Sequence, residues 1–164
     1  MSRFKFNLKT EAIGANGGKW ELGLVMKKSE LNLDVLQNSL TTLKECYNDY
    51  SAEGNLKLKN YIKDSCVKRF EYTYETAKKI MNKFLKKEYD KSEKDLTINN
   101  IFRGMYGLDL IQNFENWVEY REKRNYTSHE YDDENTYKIV DLIPRFIADV
   151  DYLIVKLNGV LIDD

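Results

Sequence analysis

One short stretch concentrates the side chains able to do chemistry. Arg121-Glu-Lys-Arg124-Asn125-Tyr126-Thr127-Ser128-His129-Glu130-Tyr131 holds the single histidine of the chain together with two arginines, an asparagine, two hydroxyl residues and two tyrosines. Histidine titrates near neutrality and can take and return a proton at cellular pH. Arginine stays charged, and its planar fork matches phosphate oxygens. Arg124 and His129 are therefore a minimal kit for metal-free RNA cleavage. The imidazole would activate a ribose 2′-hydroxyl or protonate a leaving oxygen, and the guanidinium would stabilise charge building on the phosphate. Their spacing limits the idea: five residues put them about 140° apart on a continuous helix. Either the helix ends between them, or two copies of the chain share one site. Asn125 and His129, four apart, lie on one helix face, which makes Asn125 a candidate to orient the ring or the phosphate. Arg121, Arg69 and Ser128 are further candidates for contacting a nucleotide or RNA. Tyr131 is expected past the helix end, within reach of another protein. The plain structural reading stands beside this one. A lone histidine near a helix C-terminus is favourable for dipole reasons alone, and Arg–Glu pairs decorate many helices.

The elements that must position these residues are legible in the rest of the chain. Its 164 residues are one domain's worth, and 42% apolar with 13% aromatic content supplies a real core. The charged fraction is 32%, yet the formal net charge is −1, so bulk sequence-independent nucleic-acid binding is not expected without a local basic patch. With two cysteines, Cys46 and Cys66, and one histidine, a Cys/His zinc site is nearly excluded. Two buried thiols on separate helices in a reducing, cytoplasmic setting are the expectation. Met1–Leu8 lacks the continuous apolar run of a secretory signal, and no segment approaches the ~20 apolar residues of a membrane span.

Residues 1–25 differ from the remainder. Gly14, Gly17, Gly18 and Gly23 sit among two alternating runs, Phe4/Phe6/Leu8 and Trp20/Leu22/Leu24. They read either as a β-hairpin or as an extension upstream of a domain spanning 26–164. From Leu31 the period changes: Leu33, Leu36, Leu40, Leu43, Tyr47 and Tyr50 form one helical stripe, broken at Gly54-Asn55. A second helix is predicted over about Lys57–Lys87, burying Ile62, Cys66, Phe70, Thr73, Tyr74, Ala77, Met81 and Phe84. Lys63, Lys68, Arg69, Lys78, Lys79, Lys83, Lys86 and Lys87 crowd its other faces and read as solvated, while Tyr72 and Tyr74 read as core. Thr97 caps a short helix to Tyr106; a fourth helix is predicted from about Asp109 to Ser128. The last helix starts near the acidic Asp132-Asp133-Glu134 and carries Thr136, Val140, Ile143, Ile147, Val150, Ile154 and Leu157 inward, with a kink expected at Pro144. The architecture is thus all-α: an antiparallel up-and-down four-helix bundle with one extra short helix.

Two runs carry a resemblance. Arg124-Asn-Tyr-Thr-Ser-His129-Glu-Tyr131 resembles the R-N-x-T-S-H-x-Y signature of the nucleotidyltransferase substrate-binding family within the HEPN superfamily. Arg69-Phe70-Glu71-Tyr72-Thr73-Tyr74-Glu75 is similar to that family's second-helix motif, R-F-E-[FY]-T-Y-E, and the likeness extends over about Leu31–Leu157. The resemblance implies a dimerising helical bundle. It also implies a metal-independent ribonuclease in which Arg and His from two protomers form a cleft, with Arg124 and His129 catalytic and Asn125 supporting. For the toxin–antitoxin branch called HepT (type VII-like), it implies a minimal nucleotidyltransferase, encoded nearby, that transfers AMP to Tyr131 and silences the toxin. The chain lacks the Gly-Ser…Asp-x-Asp pattern of a transferase, so ATP and Mg²⁺ belong to that partner and no cofactor is expected here. The resemblance is equally compatible with a non-catalytic subunit that presents substrate or nucleotide to the transferase.

Overall fold

The computed structural model describes residues 26–89, 97–126 and 133–164. A 3-10 turn, Lys28–Glu30, precedes α1 (Asp34–Ala52), α2 (Leu56–Tyr89), α3 (Ile98–Gly107), α4 (Phe114–Tyr126) and α5 (Asp133–Val160). No strand occurs among the described residues; a parallel bridge joins Lys27 to Ile162 and ties the start of the described chain to its end. The expectations for residues 1–25 lie outside the described residues.

Side-chain caps set where the helices begin. Asn55 Oδ1 accepts from the amides of Lys57 and Leu58 at 3.0 and 3.2 Å, satisfying two donors that the first turn of α2 leaves unpaired. Thr97 caps α3 as predicted, accepting from the Asn100 amide. Asn113 accepts from the Asn116 amide at 3.0 Å and begins α4 there. The predicted start at Asp109 is therefore corrected. Asp109 has φ 58, a left-handed conformation that ends rather than starts a helix, and the turn behind it buries Leu110 and Ile111. α1 starts at Asp34, one residue after Leu33, the first residue of its predicted stripe. The result is three long helices of 19, 34 and 28 residues and two short ones of 10 and 13.

A three-residue link, 53–55, folds α2 back along α1, and α5 packs on both. α3 and α4 pack on each other and on α2, and α4 also meets α5. Leu36, Leu40 and Leu43 of α1 face Cys66, Phe70, Ala77, Met81 and Phe84 of α2 within one core. Cys46 and Cys66 are both buried free thiols, their sulfurs 3.0 Å apart. Burial pushes the Cys66 thiol up, with Cys46 adding to the shift. The deepest cluster is aromatic. Phe146 of α5 meets Phe70 of α2 edge-on at 4.8 Å and Tyr120 of α4 at 4.9 Å, and Trp117 adds a third edge contact at 6.0 Å. Beside it the buried Asp149 carboxylate accepts from Tyr120 Oη and Asn116 Nδ2, so its charge is met by two donors. Burial, then Asp149, pushes the Tyr120 hydroxyl up.

Two side chains of α2 depart from the helical pattern. Lys63, expected on the solvated face, is 3% exposed, while Tyr72, expected in the core, is 58% exposed. Four helices surround α2, so its buried arc is wider than one stripe and takes in Lys63, whereas Tyr72 falls in the gap.

Truncating Phe146 to alanine removes the ring that joins three helices. It should lower stability by about 3–5 kcal/mol, read from the urea midpoint. The Asp109 turn supplies a pH-dependent term. Bonds from Lys156 (2.6 Å) and Tyr152 (2.8 Å) hold the Asp109 carboxyl below the usual carboxylate range. A depressed folded-state pKa stabilises above the ordinary value, and that contribution is lost as pH falls through the folded one. Asp109→Asn should lower the thermal midpoint at about pH 7, and the difference from wild type should shrink as pH falls below the ordinary carboxylate range.

Candidate functional site

The two motifs meet in space. α2 presents Tyr74 and Glu75 toward the last turns of α4, where Arg124 Nε lies 3.4 Å from Glu75 Oε1. Both side chains are partly covered, at 25% and 30% exposure, so their attraction is less screened than at an open surface. Glu75 is shared: Lys78, one turn along α2, approaches it at 2.7 Å and lies over the Tyr74 ring at 5.8 Å. Arg121, one turn before Arg124, donates from Nη1 to Asn99 Oδ1 of α3 at 3.1 Å. Two cations, Arg124 and Lys78, thus share the Glu75 carboxylate, and Arg121 lies near enough for its charge to act on the Tyr74 hydroxyl beside them.

Tyr74 lies under this cluster. It is 1% exposed, and its hydroxyl has no hydrogen-bond partner among the described residues. Burial first, and then the Glu75 charge, push the hydroxyl up; Arg121 and Arg124 oppose them. At neutral pH the group is therefore a phenol that can donate. Two guanidiniums and an ammonium supply donors in fork and point geometries, a set suited to phosphate oxygens.

The other predicted residues fall in three places. Asn125 is on α4 and exposed. Arg69 is exposed and donates to Ser65 of its own helix. It stands six residues before Glu75, about 120° around α2, and is not brought to the cluster. Ser128, His129 and Tyr131 lie outside the described residues, in the connection between α4 and α5. Glu75, Lys78 and Asn99 were not singled out from sequence as site residues. Glu75 closes the second-helix motif, and that position was the available signal. No cluster of metal-ligating side chains occurs among the described residues, and none of their helices is long and apolar enough to cross a membrane.

Comparison with known proteins gives three findings. The profile of the family described as nucleotidyltransferase substrate binding protein like matches residues 31–159, a range that includes both halves of the cluster. A Haemophilus influenzae protein named "Probable ribonuclease HepT" is 26% identical over 141 residues, 81% of this chain and 96% of its own length. A solved Haemophilus influenzae structure, described as revealing the fold of a substrate-binding domain of a nucleotidyltransferase, is similar with a TM-score of 0.68. It is 24% identical and covers 77% of this chain and 99% of the other, a likeness of fold.

Replacing Glu75 with glutamine removes the anion of the pair and leaves its shape. The pair is partly exposed, so the stability read from the urea midpoint should change by less than about 1 kcal/mol. Arg124 should meanwhile react faster with phenylglyoxal, followed by peptide mass spectrometry; an unchanged rate would show that Glu75 does not hold it.

Proposed function

The chain belongs to the nucleotidyltransferase substrate-binding protein-like family, and from that premise we propose that it is a HepT-like, metal-independent endoribonuclease toxin controlled by a minimal nucleotidyltransferase. The observation that carries this reading is the pair of cations, Arg124 and Lys78, held on Glu75 with Arg121 one turn before Arg124, close to the point where α4 gives way to the segment containing His129. Arg124 binds the scissile phosphate and stabilises the charge that develops on it. His129 serves as general base toward the ribose 2′-hydroxyl, or as general acid toward the departing 5′-oxygen. Asn125 supports the ring or the phosphate, Arg121 adds positive field, and Ser128 and Arg69 contact RNA further along its backbone. A homodimer supplies the geometry that one helix denies, because two copies place an arginine and a histidine on one phosphate. The partner transferase uses ATP and Mg²⁺ to form a bond between the Tyr131 hydroxyl oxygen and the α-phosphorus, releasing pyrophosphate. The added AMP fills the approach to the site and repels RNA by charge. The protein works in the cytoplasm.

A second reading keeps the fold and partner and removes the cleavage: a subunit that presents a nucleotide substrate to the transferase. The likeness of fold to a solved substrate-binding domain favours it.

RNA cleavage in the presence of a metal chelator separates the two. Wild type should cut RNA, and Arg124→Ala and His129→Ala should each lose at least ~100-fold in rate with the fold retained. Equal RNA integrity with wild type and His129→Ala would sink the ribonuclease reading and leave the presenting subunit. Incubation with the transferase, ATP and Mg²⁺ should add one AMP mass to the Tyr131 peptide, and Tyr131→Phe should escape both the mass and the loss of activity.

A further inference from the structure

We propose that Lys63 is a positioning residue: its ammonium holds the first turn of α5, and so fixes the point at which the segment bearing His129 and Tyr131 joins that helix. The inference rests on the ribonuclease reading above, since it is His129 that the fixed end serves. Lys63 Nζ bonds Asp133 Oδ1 at 3.1 Å and sits 4.3 Å from the centre of the Tyr137 ring. Asp133 is the first residue of α5, and Tyr137 follows one turn later. The Lys63 side chain is 4% exposed, whereas that of Asp133 is 84% exposed.

That asymmetry is informative. An ammonium drawn out of water to meet a carboxylate that remains in it gains little net stability, because desolvation offsets most of the attraction. A methionine of similar length would fill the same space without that cost. α5 also has no need of the lysine to start, because Asp133 and Glu134 already complement its N-terminal dipole. What the lysine adds is direction: a charge-assisted bond and a cation–π contact from α2 to one particular turn of α5. Tyr50 of α1 is near enough for the Lys63 charge to act on its hydroxyl. Twelve residues further along α2, roughly 18 Å away, Glu75 engages Arg124 near the end of α4. A single rigid helix thus grips the chain on both sides of residues 127–132, by an anion before them and a cation after them.

The test compares the full-length protein with Lys63→Met, Lys63→Arg and Asp133→Asn. Steady-state RNA cleavage and hydrogen exchange at the amides of residues 137–141 are read together with the thermal midpoint. We expect Lys63→Met and Asp133→Asn to lower kcat at least ~10-fold with KM little changed, and to speed exchange at 137–141. Lys63→Arg, which keeps the charge, should retain kcat. The midpoint of Lys63→Met should equal or exceed wild type, so that activity and stability part company. Wild-type kcat in Lys63→Met, or wild-type exchange at 137–141, overturns the proposal. Should Lys63→Met fail to fold, Asp133→Asn carries the same test, because its change lies on an exposed side chain. If wild type cuts no RNA, the ribonuclease reading fails by itself, and the exchange at 137–141 still decides whether Lys63 holds the turn.

Discussion

Unlike charges placed at different depths along α2 are the constraint on which the site depends. Lys63 is almost fully covered and Glu75 is about one-third exposed, yet each reaches a charge on another helix: Asp133 on α5 and Arg124 on α4. A partly covered pair loses less of its attraction to solvent screening than an exposed one, and its geometry is narrower. Such pairs add little to overall stability. Their effect is to choose which turn of one helix faces which turn of another.

These contacts would be ineffective without the aromatic cluster beneath them. Phe146, Trp117, Tyr120 and Phe70 meet mostly edge to face and fix α4 and α5 against α2 at the level of the core. The buried Asp149 pins the orientation further, since its two donors, Asn116 and Tyr120, both come from α4. α4 is short and fully buries only Trp117 and Tyr120, with Phe114 and Val118 partly buried beside them, so it is held by few residues. Arg121 and Arg124 occupy the remaining faces of the same turns, where they meet Asn99 and Glu75. Core and site are therefore two sides of one helix, and a rotation of α4 that moved Arg124 would also unpack Trp117.

Much of this was legible in the chain. The stripe of Leu36, Leu40 and Leu43, the long face of α2 from Cys66 to Phe84, and the Thr97 cap follow from helical period and capping chemistry, which are local. The start of α4 was misplaced because Asp109 and Asn113 are both acceptable start residues by type. Which one caps depended on the left-handed turn that Tyr152 and Lys156 of α5 hold in place. Lys63 and Tyr72 exchanged environments for a similar reason: exposure on a helix packed on several sides is decided by its neighbours.

Local residue order was enough to specify the helical class, most element positions, the family, and the two motifs in which Arg124 and Glu75 sit. Period, caps and residue types are properties of short stretches, and they survive without knowledge of the rest of the chain. Tertiary structure alone decided that Glu75 faces Arg124, that Arg121 turns to Asn99, that Arg69 stays apart, and that Lys63 leaves water for Asp133. Each of those depends on the angle at which helices distant in sequence cross, and that angle is set by how large side chains fill the space between them.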